Sequence, residues 1–310
     1  MSYVIVTTKM IEYSNYSVTL IFQLLTLTIH NMCSFKDLLF ASTAARRMSS
    51  SLRYFDGRTG TEIPDRDSAF QKVEQFVASA GASGKKAVVF VGENHEDPSA
   101  HETELDLARR LLTGGPGSAL SMEFYERDIQ PVLDEYLNGS IDYDSFLKDA
   151  RPPSNHSDYK PLMDHCKNHN VPIVAANCAR RFDKSMKCCF CQMSMTWQKY
   201  FRYSRVVGRK GRESLEHLAQ TNPEFYGMAL PPLPYAKASE KYCQKFKQIM
   251  GIVASGKDEE RVMKMLDSQT LWDASMANSI AKVSSLFVLL LRSCSFLKDV
   301  FLSPTIVVLE

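Results

Sequence analysis

The chain lacks a strong charge imbalance, and this limits the partners it can attract. Its 37 Lys and Arg residues nearly balance its 35 Asp and Glu residues, which leaves a formal net charge of +2 over 310 residues. A chain so close to neutrality has no overall field that would draw it to nucleic acid or to an acidic membrane surface. We therefore expect neither as a partner, and no oligomeric state follows from the sequence.

Cysteine is also scarce. Eight cysteines in 310 residues are too few for a disulfide scaffold, so we expect a reducing, intracellular environment. Cys188 and Cys191 have the CxxC spacing that zinc and redox thiols use. A structural zinc ion needs four ligands, however, and no second pair follows at a suitable distance, since His217 stands alone. The sequence therefore does not favour a zinc site here.

No long apolar run is present that would cross a bilayer. Residues 18–29 are apolar, but the stretch is too short and too rich in Thr for a transmembrane helix. Residues 26–53 are rich in Ser and Ala, carry three Arg residues and have Asp37 as their only acid, which is typical of a transit peptide. We expect residues 1–53 to be a leader, either disordered or targeting the chain to an organelle.

What the chain does contain is a regular alternation of strand and helix patterns. Short apolar runs at 87–91, 119–122 and 172–176 predict buried strands. Amphipathic stretches predict helices at 67–78, 99–112, 128–137, 159–168, 209–220, 238–253 and 259–282. Strands separated by helices indicate an α/β fold with a mainly parallel sheet flanked by helices. Residues 182–201 show no clean period.

Polar residues follow each predicted strand. They are Gly92, Glu93, Asn94 and His95 after the first, Glu123 and Arg127 after the second, and Asn177 and Arg180 after the third. Because ligands of open parallel sheets bind beyond the carboxyl ends of the strands, this convergence predicts a site there. Two carboxylates and an imidazole can share a proton, hold a metal ion or orient a ligand. Alternatively, His95 is a loop histidine that binds nothing, and Glu123 forms a buried ion pair with Arg127 or Arg180.

The same segments resemble a known family. Residues 91–95 (VGENH) with the following His101, and residues 121–130 (SMEFYERDIQ), are similar to the signature of ChaN-like proteins. Residues 158–162 (DYKPL) and 174–177 (VAAN) continue the resemblance in order. Residues 230–234 (LPPLP) and 272–277 (WDASMA) resemble eukaryotic members. The resemblance covers about 54–282, as several ordered blocks.

The resemblance implies a haem-binding domain of the Tiki superfamily, which also contains metal-dependent proteases and esterase-like enzymes. It implies haem, or another iron tetrapyrrole, as a small-molecule ligand. The positions carried over as ligand contacts are Glu93, His95, Glu123, Arg127, Tyr159, Asn177 and Arg180. Imidazole and tyrosinate are both suitable axial ligands of haem iron, so His95 and Tyr159 are the candidates for that role.

The sequence departs from the family pattern in two places. Residues 182–202 look like an insertion, and residues 283–310 form an atypical tail without the second GxxH of family members. We therefore weigh three hypotheses. The first is a haem-binding protein; the second is a metal-dependent hydrolase, in which His95 and Glu123 hold a divalent metal ion and Glu93 is the base; the third is an inactive copy that lacks its last strand. The missing histidine disfavours the hydrolase most, because hydrolytic metal sites generally use three protein ligands.

Overall fold

The computed structural model describes eleven stretches of the chain. They are 3–9, 53–56, 59–93, 97–114, 117–179, 207, 212–221, 230–253, 259–283, 287–293 and 305–309.

Eight strands and eight helices lie within these residues. The strands are β1 (Tyr3–Lys9), β2 (Arg53–Asp56), β3 (Glu62–Ile63), β4 (Ala87–Glu93), β5 (Ser118–Glu126), β6 (Ile173–Asn177), β7 (Phe287–Ser293) and β8 (Thr305–Leu309). The helices are α1 (Arg66–Ala82), α2 (Pro98–Leu111), α3 (Gln130–Leu137), α4 (Tyr143–Ala150), α5 (His156–Asn168), α6 (Arg212–Thr221), α7 (Glu240–Val253) and α8 (Glu259–Lys282). A short 3-10 turn, Arg127–Ile129, joins β5 to α3.

The strands form one sheet in the order β3-β2-β1-β8-β4-β7-β5-β6. The four strands β4, β7, β5 and β6 are mutually parallel, and helices cover them. This confirms the predicted α/β class. The register places Val91, Leu291, Met122 and Ala175 in one row across these strands. The carboxyl ends of the strands therefore lie along one edge, which we call the carboxyl edge.

Strand β7 lies within the range predicted as an atypical tail. Phe287–Ser293 is paired to β4 on one side and to β5 on the other, so this part of the predicted tail belongs to the sheet. The hypothesis of an inactive copy stays a prediction. The run FVLLL is apolar throughout because a central parallel strand is covered on both faces. Because no GxxH motif follows residues 287–293, the sequence alone did not indicate that this apolar run is a strand of the domain.

Strand β1 was not anticipated either. Tyr3–Lys9 pairs in parallel with both β2 and β8, although these residues lie within the predicted leader. The proposed domain boundary at residue 53 stays a prediction.

The two faces of the parallel strands have different cores. On the first, which we call the α5 face, Val91, Met122 and Ala175 pack with Leu162 and Met163 of α5. On the second, the α8 face, Phe90, Ala176 and Val288 pack with residues of α8. This division follows from the alternation of side chains along a strand, which sends neighbouring residues to opposite faces.

Hydrogen bonds fix α8 to the sheet. The hydroxyls of Ser275 and Ser279 donate to the carbonyl oxygen of Ala176 over 3.1 and 3.0 Å. Both serines are buried, so neither hydroxyl has bulk water as an alternative partner. In the described part of the chain, no helix has the length and apolar character needed to cross a membrane.

Candidate functional site

Among the predicted site residues that the structure describes, Glu93 and Glu123 lie on strands near the carboxyl edge, and their side chains leave the sheet on opposite faces. Glu93 is two residues after Val91 on β4, so it points to the α5 face. Glu123 lies between Met122 and Phe124, and both of those belong to the core on the α5 face. Alternation therefore directs Glu123 to the α8 face. The carboxyl edge carries two separate polar groups, one on each face.

The group on the α5 face is a buried cluster of acidic and aromatic side chains. Glu93 is fully buried, and the Nδ1 atom of His101 lies 3.5 Å from its Oε2. The same Nδ1 atom lies 3.3 Å from Oε2 of Glu104, which is 1% exposed. Helix α2 brings His101 and Glu104 together because residues three apart share one face of a helix. We call Glu93, His101 and Glu104 the buried triad.

The fold strongly perturbs the ionisation of Glu104. Burial raises the pKa of Glu104 well above its usual range, and the charge of Glu93 and a hydrogen bond with Glu93 raise it further. Two carboxyl groups that share a site resist ionising together. In the absence of any bound cation, we expect Glu104 to keep its proton at pH values where an ordinary glutamate has lost it.

Tyr159 of α5 supports the triad. Its hydroxyl donates to both carboxylate oxygens of Glu93, over 2.8 and 3.0 Å. Its ring also packs edge-on against His101, with 4.7 Å between centroids, and against Phe124. Burial raises the pKa of Tyr159, and the charges of Glu93 and Glu104 raise it further. Tyrosinate is therefore disfavoured here, and this geometry gives Tyr159 the role of orienting Glu93.

The second polar group lies near the ends of β5 and β6 and contains Glu123 and Arg127. Asn177, the last residue of β6, directly follows Ala176 of the α8 face, so alternation directs its side chain to the α5 face. Glu123 and Asn177 are 8% and 4% exposed. The Asn177 side-chain oxygen accepts a hydrogen bond of 2.9 Å from the backbone N–H of Cys178, which fixes the turn after β6. Burial lowers the pKa of the Arg127 guanidinium, although the neighbouring Cys178 opposes the shift. The Nη1 atom of Arg127 is buried and has no hydrogen-bond partner within the described residues.

Two of the predicted site residues, His95 and Arg180, lie outside the described residues, as does the predicted insertion at 182–202. The remaining five divide between the two faces. Glu93 and Tyr159 are joined by hydrogen bonds on the α5 face. Glu123 lies within β5, Arg127 directly follows the end of β5, and Asn177 is the last residue of β6.

Sequence reasoning did not identify Glu104, and it noted His101 only as part of the family motif. A signal was nevertheless present in helix α2. Its buried positions are Ala100, Thr103, Glu104, Leu107 and Ala108, which recur at the spacing of one apolar stripe. A glutamate within such a stripe must be buried, and a buried carboxyl group needs a partner.

An α/β domain with polar side chains at the carboxyl ends of its parallel strands belongs to a class that binds ligands at this edge. More particularly, the chain belongs to the family described as haem-binding uptake, Tiki superfamily, ChaN, which matches residues 80–187 and 200–292. No protein of curated function matches the sequence. Among solved structures, the chain is similar to one that shows cofacial heme binding to ChaN of Campylobacter jejuni. The identity is 14%, the alignment covers 76% of this chain and 77% of that chain, and the TM-score is 0.48.

Proposed function

We propose that this domain binds haem, or a related iron tetrapyrrole, at the carboxyl edge on the α8 face of the sheet. Membership of the haem-binding family over residues 80–187 and 200–292 supports the class of ligand. The observation that carries the placement is the Arg127 guanidinium, whose buried Nη1 atom has no partner among the described residues. A buried donor without an acceptor costs about 1–3 kcal/mol, and the carboxylate of a haem propionate would remove that cost.

The surroundings of Arg127 fit such a ligand. Beside Cys178 and Ala179, at the end of β6, lies an apolar cluster that includes Leu230, Tyr235 and Leu271. A tetrapyrrole needs a large apolar surface for its ring and a few cationic groups for its propionates. Arg127 would supply one cationic group, and the partly buried Leu233 and Trp272, which pack against this cluster, would supply apolar surface for the ring.

The axial ligand is assigned by elimination between the two candidates from the sequence. The Tyr159 hydroxyl is buried and donates to Glu93, so using it as an axial ligand would break both of those hydrogen bonds. In the sequence, His95 comes two residues after the last residue of β4, and a neutral imidazole is a suitable ligand of haem iron. We propose His95 as the axial ligand and Arg180, together with Arg127, as a propionate contact.

A haem titration with matched variants tests this proposal. Arg127→Ala should weaken haem binding by about tenfold to a hundredfold, as expected when one charged hydrogen bond is lost. Arg109→Ala is the control, because Arg109 is an exposed arginine that pairs only weakly with Asp106. His95→Ala should alter the absorption spectrum of the bound haem as well as its affinity. Equal haem affinity in Arg127→Ala and Arg109→Ala would contradict the placement on the α8 face.

The hydrolase is the second candidate, and the buried triad is the observation that favours a metal ion. In the arrangement expected from the sequence, His95 and Glu123 hold the metal and Glu93 is the base. Glu93 and Glu123 point to opposite faces of the sheet, so that arrangement is not favoured. A hydrolase still predicts ester or peptide hydrolysis that is lost on chelation and in Glu93→Gln. Chelator-sensitive turnover without haem binding would replace our first proposal.

A further inference from the structure

The buried triad has the dimensions of a metal site. The two distances from His101 Nδ1, to Glu93 Oε2 and to Glu104 Oε2, are 3.5 and 3.3 Å. Metal–ligand bonds of about 2.0–2.1 Å in tetrahedral geometry place neighbouring ligand atoms roughly 3.4 Å apart. One ligand atom from each of the three residues lies within 4.8 Å of the others. An ion could therefore contact all three side chains without a rearrangement of the backbone.

A second observation, independent of these distances, also points to a ligand. The Oε1 atom of Glu104 is buried and has no hydrogen-bond partner within the described residues, on a side chain that is 1% exposed. Buried carboxylates are normally paired with a cation or bound to a metal ion. Two ionised carboxylates would balance the charge of a divalent cation, so binding would remove the cost of burying both.

The side chains that contact the triad residues are arranged like those that hold metal ligands in place in known metal sites. The Tyr159 hydroxyl holds both oxygens of Glu93. On the far side of the His101 ring, the Nε2 atom lies 4.0 Å from Oδ2 of Asp158. A metal-bound histidine typically presents its other ring nitrogen to a carboxylate, which fixes the orientation of the ring.

We propose that Glu93, His101 and Glu104 bind one divalent transition-metal ion, such as Zn²⁺, in the space between β4, α2 and α5. One imidazole nitrogen and two carboxylates suit first-row divalent metals, and three protein ligands leave a coordination position open. The site lies on the α5 face, apart from the proposed haem contacts at Arg127, and it does not depend on haem binding.

Metal binding by the full-length, haem-free protein tests the proposal. After removal of metals with a chelator, the protein is titrated with Zn²⁺ by calorimetry and with Co²⁺, whose visible absorption reports its coordination. We expect one saturable equivalent. Loss of a residue that only hydrogen-bonds to a metal ligand typically weakens metal binding by roughly 10–100-fold. Glu104→Gln removes a ligand itself, so it should weaken Zn²⁺ binding by more than that. Tyr159→Phe should fall within that range.

Glu102→Gln is the matched control, since Glu102 lies on the same helix but is exposed and contacts Arg66. Its Zn²⁺ affinity should equal that of the parent. If Glu104→Gln fails to fold by circular dichroism, His101→Ala replaces it with the same expected loss. Absence of saturable binding in the parent, or binding that survives in both Glu104→Gln and His101→Ala, would overturn the proposal. Zn²⁺ bound by Cys188 and Cys191 instead of the triad would produce binding that survives in both variants.

Discussion

Glu104→Gln is also the most informative change for the stability of the metal-free protein. The substitution keeps the shape of a side chain that is 1% exposed and removes its ability to ionise. Because burial raises the pKa of Glu104 well above 4.5, the folded state keeps a proton that the unfolded state releases. The free energy of unfolding of the parent should therefore fall as the pH rises above 4.5. The variant lacks the ionisable group, so this pH-dependent loss should be absent from it.

The size of the effect follows from proton linkage. Between the unfolded and the folded pKa of Glu104, the folded state holds about one more proton than the unfolded state. The free energy of unfolding of the parent then falls by up to about 1.4 kcal/mol for each pH unit, relative to the variant. Near pH 4.5 the two proteins should be similar in stability, and at higher pH Glu104→Gln should be the more stable protein.

The assay is urea unfolding at a series of pH values, with a chelator present throughout. Parent, Glu104→Gln and the exposed control Glu102→Gln are compared at each pH. Changes in the urea midpoint are converted to changes in the free energy of unfolding with one m-value for all three proteins. Glu102→Gln should follow the parent at every pH, since its side chain is 63% exposed. A constant difference between Glu104→Gln and the parent across the series would refute the reasoning, because it would show that Glu104 ionises normally in the folded state.

Two further changes test the contacts around the site. Tyr159→Phe removes the hydroxyl that donates to both oxygens of Glu93, so it should lower the free energy of unfolding by about 1.5–3 kcal/mol in denaturant titrations. A loss within experimental error would show that this hydrogen bond is not formed. Ser275→Ala and Ser279→Ala should each cost about 0.5–1.5 kcal/mol. Their double variant should cost more than the sum, because the Ala176 carbonyl then loses both hydroxyl donors, and strict additivity would contradict the shared acceptor.

The sequence predicts the parallel core of the fold because its elements have clear periodicity. The stripe that includes Phe70 and Val73 predicts α1, and the short apolar runs predict β4, β5 and β6 within a few residues of their observed bounds. Strand ends were harder to predict. β4 was expected to stop at Gly92 but continues to Glu93, because Gly92 is paired with both β7 and β8 and Glu93 is still paired with Ser293 of β7. Such pairing depends on chain segments some 200 residues away, which local patterns do not contain.

The functional site stays a prediction. Its candidate residues Glu93 and Asn177 end strands β4 and β6, as the sequence pattern indicates, but the faces to which Glu93 and Glu123 point do not follow from that pattern. Those faces depend on the register of β7 between β4 and β5, and β7 itself was not predicted. Glu104 was not predicted because the helix periodicity around it is carried by apolar residues, and a single carboxyl group within that stripe does not change the period.

The measurement that tests the central claim most directly is a titration of the purified full-length protein with ferric haem, followed by absorption spectroscopy. If the domain binds haem at the carboxyl edge, the Soret band should shift and saturate at a fixed stoichiometry, since an axial side chain changes the ligand field of the iron. His95→Ala should change that spectrum, whereas Arg109→Ala should reproduce it. A Soret band that does not shift, or a signal that grows without saturation, would contradict the proposal that this domain binds haem.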